Sequence, residues 1–408
     1  AFLAFDPKDP KMIYGTSIQG FIDSYNSDNK EIKDIMAYPQ LNLGTNPIDM
    51  KYRFNWNGPL VSQIQNPSIL YHGGNKLLRS DDEGYSWTEI SGDLTRNDTT
   101  KHSAGGVPYT NEAAGGEVYN TISYIAVSPH TAGVIWVGSD DGLVHVTQDG
   151  GKTWTNVTPK GLKESIINVV EPSPHDPATA YIAVAGYKLN DFTPYIFKTN
   201  NYGISWKKIV KGIPEDTFAR SVREDPDRKG LLYAGTETGV FVSFNDGEFW
   251  MPLQNNLPEV PITDLRVQRK DLVVATQGRA LWILDDLTPL HQISDAISKT
   301  DYHLYQPRDV FTELSVAYSA DGGYGKNAPK GVQIHYVINK EVPADTPMSM
   351  EVMDENGVVV HSEFTNVERN PCTTLPKPQL KRKIGSHRYQ WNMKIGLFDC
   401  LKAFATTN

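Results

Sequence analysis

The eight residues TQDGGKTW, at 147–154, combine a hydroxyl, a carboxylate, two glycines and a tryptophan. An acid in a glycine-rich loop can act as a general acid or a nucleophile, whereas the same residues can also form a turn with a purely structural role. Three other segments repeat the pattern and decide between these interpretations. They are SDDEGYSW at 80–87, TNNYGISW at 199–206 and SFNDGEFW at 243–250.

Each of the four segments, which we call a box, has a hydroxyl residue, an Asp or Asn, a Gly and a Trp at the same offsets. Because Asn201 and Asn245 cannot titrate, the property that the boxes share is not acid–base chemistry. An Asp or Asn oxygen accepts backbone N–H groups in a turn, Gly permits a positive φ, and Trp buries a large apolar surface. We therefore predict structural turns built on Ser80, Asp82, Gly84, Trp87, Thr147, Asp149, Gly151, Trp154, Thr199, Asn201, Gly203, Trp206, Ser243, Asn245, Gly247 and Trp250.

A second repeated phrase precedes the boxes. A proline-containing turn leads into a β-branched or aromatic strand and a small polar loop, as in SPHTAGVIWVGSDDG and DPDRKGLLYAGTETG. The intervals between box tryptophans shorten toward the ~40 to 45 residues of a four-stranded blade. The predicted fold class is all-β, an incomplete β-propeller of five full or degenerate blades and a partial sixth, with each box between the third and fourth strands. The innermost strands are predicted to begin near Ala1, Pro59, Thr121, Ser165, Phe218 and Pro261.

The composition agrees with a β-rich chain and argues against several functions. The net charge of the 408 residues is −9 and no long basic cluster is present, so nucleic acid is not expected as a partner. No apolar run approaches the ~20 residues of a membrane helix, so membrane insertion is not expected. The histidines are scattered, and Cys372 and Cys400 lack metal-ligand spacing. We expect no metal and no cofactor.

The boxes resemble the Asp-box, or bacterial-neuraminidase repeat. Longer stretches, among them KYRFNWNGP, SGDLTRND and VVATQGRALWILDDLTPL, resemble the bacterial secreted family called sortilin N-terminal domain-containing, whose members are also often called glycosyl hydrolases. The resemblance implies an extracytoplasmic protein, although this chain shows no signal peptide. Members of the family are longer, so we expect the chain to be a fragment whose upstream sequence completes the ring. The family supplies no catalytic residues that can be transferred to this chain.

The repeats stop near residue 290, and the pattern then changes. GVQIHYVI, MSMEVMD, VVVHSEF and HRYQWNMK have strand patterns, with DENG as a hairpin turn. The predicted division is a propeller at 1–290, a linker at 291–330, a truncated immunoglobulin-like sandwich at 331–396 and a tail at 397–408.

Successive turns of an antiparallel meander lie on opposite faces, so the turns between second and third strands lie opposite the boxes. We call that side the connection face, since it also receives the blade-to-blade connections, two of which, at 26–58 and 91–120, are long and therefore functional candidates. Its candidate binding residues are Arg53, Trp56, Asn75, Asp140, Arg220, Gln277 and Arg279. Its candidate catalytic residues are Asp141, Asp191, Glu237, Glu117 and Tyr119. The alternative for each of them is a solvent-exposed loop side chain without a function, or a side chain that hydrogen-bonds within its own turn.

Three functions remain open from the sequence. The first is a noncatalytic recognition propeller that binds protein, peptide or glycan on the connection face. The second is a glycoside hydrolase, either sialidase-like, with Tyr119 as nucleophile beside Glu117, or inverting, with two carboxylates roughly 6.5 to 9.5 Å apart. The third is a structural assembly platform.

Overall fold

The computed structural model describes residues 2–6, 9–42, 44–102, 118–310, 328–365 and 380–393. Their regular secondary structure consists almost entirely of antiparallel strands. The chain divides into two compact units, Ala1–Gln268 with Val273–Ile283, and Arg269–Leu272 with Leu284–Asn408. Within the described ranges, no helix combines the length and apolar character that crossing a membrane requires.

The first unit is a succession of small sheets whose strands follow one another in chain order. Five sheets have four strands and the sixth has three. The strands of blades 1 to 3 are β1 Leu3–Phe5, β2 Met12–Thr16, β3 Ile22–Asn26 and β4 Ile32–Asp34; β5 Leu60–Ser62, β6 Leu70–Gly73, β7 Leu77–Ser80 and β8 Thr88–Glu89; and β9 Ile122–Val127, β10 Ile135–Ser139, β11 Val144–Thr147 and β12 Thr155–Asn156. Those of blades 4 to 6 are β13 Ile166–Pro172, β14 Ala180–Gly186, β15 Asp191–Thr199 and β16 Lys207–Lys208; β17 Ala219–Glu224, β18 Leu232–Thr236, β19 Val240–Ser243 and β20 Met251–Pro252; and β21 Ile262–Gln268, β22 Asp271–Thr276 and β23 Leu281–Leu284.

The first strands of successive sheets are neighbours. Strand β1 contacts β5, β5 contacts β9, β9 contacts β13, β13 contacts β17 and β17 contacts β21. Four-stranded meanders whose first strands lie side by side in chain order form a β-propeller. The predicted fold class is confirmed, and each innermost strand begins within two residues of its predicted start.

Backbone hydrogen bonds define the two faces. Each box donates an N–H to the turn between the first and second strands of its own blade, as Asp246 does to Gly230 O at 2.8 Å. The turn between the second and third strands instead bonds to the start of the innermost strand, as Glu237 N–H does to Phe218 O at 3.2 Å. The boxes and the connection face are therefore at opposite ends of the blades.

Burial differs between the middle and the ends of the succession. The second strands β6, β10, β14 and β18 are buried at every residue. Blade 1 instead presents a row across its four strands, Phe5, Ile13, Tyr25 and Ile32, whose residues pair in register, and Phe5 and Ile32 are exposed. In blade 6, Leu281 and Ile283 are exposed. Completion of the ring by further sequence stays a prediction.

The second unit contains a three-stranded sheet and a two-stranded sheet. Their strands are β24 Tyr302–Leu304, β25 Val332–Ile338 and β28 Gly385–Trp391, and β26 Ser349–Met353 and β27 Val359–Phe364; the helix α1 spans Thr288–Gln292. Side chains of both sheets, such as Ile334 and Met350, share one apolar cluster. An immunoglobulin-like topology stays a prediction.

Within the described part of the predicted linker at 291–330, the structure contains the end of α1, a 3₁₀ helix at Ile297–Lys299 and strand β24. Strand β24 lies inside that range and pairs with β25, with Tyr302 opposite Ile338. Its three residues are too short a run for a sequence pattern to separate from a loop. Cys372, Cys400 and the predicted tail lie outside the described residues.

Candidate functional site

The boxes have one internal geometry. In the second box, Gly151 N–H donates to Thr147 Oγ1 at 3.0 Å, and Thr147 Oγ1–H donates to Asp149 Oδ1 at 2.8 Å. Asp149 then accepts the backbone N–H and the hydroxyl of Thr153, at 2.9 and 2.6 Å. In the third box, Asn201 accepts the corresponding N–H and donates its amide to the Ser205 hydroxyl at 2.9 Å. In the third box, Asn therefore replaces Asp because the facing hydroxyl can change from donor to acceptor. In the fourth box the facing residue is Phe249, which has no hydroxyl, and Asn245 accepts only the backbone N–H of that residue, at 3.0 Å.

Each box also fastens its blade to the preceding one. The indole Nε1–H donates to the carbonyl of the residue that follows the outer strand of the preceding blade: Trp87 to Ile35 at 2.9 Å, Trp154 to Ile90 at 2.8 Å, Trp206 to Val157 at 2.6 Å and Trp250 to Ile209 at 2.7 Å. The box glycine packs on the same residue, and a Cβ at Gly247, whose φ is +82°, would overlap Ile209. The boxes are thus staples between neighbouring blades.

The Thr153→Val variant tests the second box. Hydrogen bonds lower the pKa of Asp149 to about 2; the bond from the Thr153 hydroxyl contributes most, and the bond from the Thr153 N–H contributes next. Because the folded-state pKa is depressed, the ionised carboxylate stabilises the fold above pH ~4, and this contribution is lost as pH falls toward 2. We expect the variant to raise the pKa of Asp149, measured by NMR titration of the carboxyl carbon. A Gln148→Ala control should not, and an ordinary midpoint in the wild-type chain would contradict the assignment.

On the connection face, Arg53 and Asn75 hold the two long connections together. Asn75 Oδ1 accepts Arg53 N–H at 3.1 Å, and Asn75 Nδ2 donates to Asp93 Oδ2 at 2.9 Å. The buried Arg53 guanidinium donates to Asp93 at 2.7 Å and to Asn120 O at 3.3 Å. Although burial opposes it, the hydrogen bonds from Asn75 and Thr95 lower the pKa of Asp93. Both predicted binding residues are therefore engaged in ordering the chain.

Asp140 and Asp141 play the same part in blade 3, where both are buried. Asp140 accepts the N–H and hydroxyl of Thr121, at 2.9 and 2.7 Å, and the Asn55 amide at 3.1 Å. Asp141 accepts Arg96 N–H at 2.7 Å as well as donors from Ser139 and Asn120. Burial, followed by the charge of Asp141, raises the pKa of Asp140 to about 7. Asp140 therefore joins Thr121 to the connection at 26–58, and Asp141 anchors Arg96 and Asn120 in the two described parts of the connection at 91–120.

Tyr119 does not present a free hydroxyl to solvent. Its side chain is buried, and its hydroxyl donates to Glu164. Lys101 Nζ donates to both oxygens of Glu164, at 2.6 and 2.8 Å. Glu117, the predicted partner of Tyr119, lies outside the described residues.

The structure also pairs the side chains of two predicted residues, Arg220 and Glu237. Arg220 Nε and Nη2 both lie 2.9 Å from Glu237 Oε2. Asp191 begins β15 and accepts Thr193 N–H at 3.0 Å and the Tyr195 hydroxyl at 2.9 Å. Both of these donors belong to β15, the strand in which Asp191 itself lies.

The other predicted residues lie apart from these groups. Gln277 and Arg279 are exposed in the turn between β22 and β23, and Gln277 N–H bonds to Pro261 O at 2.9 Å. Trp56 is 50% exposed and follows Asn55, which donates its amide to Asp140. Trp56 is thus an accessible aromatic on a connection that hydrogen bonds hold in place.

Several residues of this face were not singled out from the sequence. Asp93 and Arg96 lie in SGDLTRND, where the Asp-x-Thr pattern indicates an Asx turn but not a long-range clamp. Tyr187 and Phe192 flank a hairpin turn in GYKLNDF. Two aromatics so close to a turn are the one sequence signal that would have drawn attention to them.

An ion cluster around the buried Arg223 lies where the innermost strands meet, with Glu171 largely buried and Asp264 exposed. Arg223 Nη1 donates to Glu171 in β13 at 2.8 Å and to the Tyr124 hydroxyl in β9 at 3.2 Å. Its Nη2 donates to Asp264 Oδ1 at 2.7 Å and its Nε donates to Leu265 O at 2.8 Å, both in β21. One side chain of blade 5 thus joins blades 3, 4 and 6. Blade 6 contains no box of its own to fasten it to blade 5, and Arg223 joins these two blades instead.

Comparisons with known proteins return structural similarities only. No family model matches the chain, and no curated protein matches it. Among solved structures, the GH74 xyloglucanase from Xanthomonas campestris is 19% identical with a TM-score of 0.48, over 70% of this chain and 44% of that one. YCF48 bound to D1 peptide is 16% identical with a TM-score of 0.47, over 75% of this chain and 85% of that one.

A third similar structure is the extracellular domain of the putative one component system BT4673 from B. thetaiotaomicron. It is 16% identical with a TM-score of 0.43, over 67% of this chain and 31% of that one. The chain therefore spans less than half of the xyloglucanase and of this domain. At these TM-scores the matches carry no argument about function, and the propeller assignment rests on the sheets of the chain itself.

Proposed function

We propose that the chain is a noncatalytic recognition propeller that binds a protein, peptide or carbohydrate ligand on its connection face. The observation that supports this most strongly is that predicted catalytic side chains are hydrogen-bonded to other residues of the chain. Asp141 accepts three donors of its own chain, Asp191 serves its own strand, and Tyr119 is buried against Glu164. A general acid or nucleophile needs access to substrate, which the buried Asp141 and Tyr119 lack. The half-buried Asp191 and Glu237 carboxylates are already hydrogen-bonded within the chain.

The same hydrogen bonds favour binding. Asn75, Asp140 and Asp141 hold described residues of both long connections, namely Arg53 and Asn55 in one and Asp93, Arg96 and Asn120 in the other. Ligand contacts beside these residues therefore need little ordering on association. Trp56 is presented by one of these connections, and half-exposed tryptophan is frequent at binding hot spots. The family resemblance of the sequence supports a further part of the proposal, an extracytoplasmic location.

The Trp56→Ala variant tests the proposed face. We expect it to weaken binding of ligands selected on the intact chain, either phage-displayed dodecapeptides or xyloglucan oligosaccharides, by about tenfold, a typical hot-spot effect. The matched control is Tyr85→Ala, which removes an exposed aromatic from a box turn. We also expect no release of reducing sugar from xyloglucan. Turnover that disappears in Asp141→Asn, or binding lost only in the Tyr85 variant, would contradict the proposal.

A further inference from the structure

Blades 4 and 5 carry an aromatic and cationic group on the connection face. It is formed by the turn that leads from β14 to β15, by the start of β17 and by the turn after β18. We call it the Arg220 cluster, and its members are Tyr187, Leu189, Phe192, Phe218, Arg220 and Glu237.

The centre of the cluster is rigid. The Tyr187 and Phe218 rings stack with centroids 5.0 Å apart and planes 16° apart. The Arg220 Cζ atom lies 5.2 Å from the Tyr187 centroid and 4.9 Å from that of Phe218. Glu237 holds the guanidinium from one edge through a single carboxylate oxygen. A guanidinium stacked on aromatic rings and tied to a carboxylate is preorganised.

The rim of the cluster is open to a ligand. Phe192 is 47% exposed and Leu189 is 40% exposed, and the Phe192 ring lies 6.2 Å from that of Phe218. Within the described part of the chain, Arg220 Nη1 and the Tyr187 hydroxyl make no hydrogen bond. Two hydrogen-bond donors therefore lie next to an exposed apolar surface.

The turns around the cluster carry charges of both signs. The cationic residues there are the exposed Lys163 and Lys188, and the anionic residues are Asp191 and the exposed Glu215 and Asp216. Arg220 and Glu237 neutralise each other. The preference for an acidic group therefore rests on the two donors, Arg220 Nη1 and the Tyr187 hydroxyl, since hydrogen bonds from a guanidinium to a carboxylate are among the strongest in proteins.

We propose that the Arg220 cluster binds a peptide segment of a partner protein in which a carboxylate adjoins a large apolar side chain. The carboxylate accepts hydrogen bonds from Arg220 Nη1 and the Tyr187 hydroxyl, and the apolar side chain covers Phe192 and Leu189. Tyrosine and arginine grouped with exposed apolar side chains are typical of protein-binding hot spots. The inference rests on the proposed function and adds the location of the binding site and the class of ligand.

The test selects random dodecapeptides displayed on phage against the immobilised intact chain. We expect Asp or Glu to be enriched beside Leu, Ile, Phe or Trp. A synthetic copy of a selected peptide is then measured by fluorescence anisotropy. Phe192→Ser should weaken it at least about tenfold, and Tyr187→Phe and the amide form of the peptide should weaken it as well.

The matched control is Ile204→Ser, which changes an apolar residue that is 84% exposed in the box of the same blade. It should leave affinity within about twofold, as expected outside a hot spot. Peptides without the acidic–apolar pattern, or affinity unchanged in Phe192→Ser but lost in Trp56→Ala, would overturn this inference and leave the proposed function standing. A xyloglucan oligosaccharide bound through Phe192 in place of any peptide would overturn the ligand class. Binding to neither probe would overturn both proposals.

Discussion

Replacing Trp250 with alanine lowers the free energy of unfolding by about 3 to 5 kcal/mol, the cost of truncating a large buried aromatic. The indole is 1% exposed and packs in a cluster that joins blades 4 and 5. Its Nε1–H bonds to Ile209 O at 2.7 Å, so the variant also leaves a buried carbonyl without its donor. Urea unfolding followed by tryptophan fluorescence and circular dichroism measures the change.

The adjacent residue supplies the control. Phe249 belongs to the same box but is 45% exposed, so Phe249→Ala should cost well under half as much. A Trp250→Ala chain as stable as the Phe249→Ala chain would show that the boxes do not fasten the blades.

Replacing Arg223 with methionine should cost about 3 to 5 kcal/mol, the range for breaking a buried ion pair from one side. The variant removes the guanidinium that forms an ion pair with Glu171. Burial already raises the pKa of Glu171, and Arg223 opposes that shift. Without Arg223 the pKa rises further, so ionised Glu171 destabilises the variant at neutral pH. Because a raised folded-state pKa costs stability only as pH rises, the deficit shrinks as pH falls toward the ordinary range of Glu.

Two further variants sharpen this test. Arg223→Met combined with Glu171→Gln should recover part of the lost stability at pH 7, since the uncompensated charge is gone. Arg79→Met removes the exposed ion pair with Asp81 and should cost less than about 1 kcal/mol. Equal losses for Arg223→Met and Arg79→Met, or a deficit independent of pH, would show that the buried cluster does not join the blades.

The blades could be predicted from the sequence because their signals are local. The box template lies within eight consecutive residues, and the hydroxyl, Asp or Asn and Gly that it names bond to one another within a few residues. The strand patterns between boxes then fix the innermost strands closely. The docking of each box Trp on the preceding blade was not predicted, because Trp154 and Ile90 are far apart in the sequence.

The candidate site was less predictable because its contacts are long-range. Asn75 and Asp140 were correctly placed on turns between strands, but nothing near them in the sequence indicates that they bind Arg53 or Asn55. The partner of Tyr119 illustrates the same limit. Sequence proximity favoured Glu117, whereas the structure brings Glu164 from the next connection to the hydroxyl.

Hydrogen–deuterium exchange of the intact chain with and without a selected peptide tests most directly whether ligands are bound opposite the boxes. Exchange should slow in the turns between second and third strands, above all at 187–192, while the four boxes at 80–87, 147–154, 199–206 and 243–250 keep their rates. Protection concentrated in the boxes, with none on the connection face, would contradict the account.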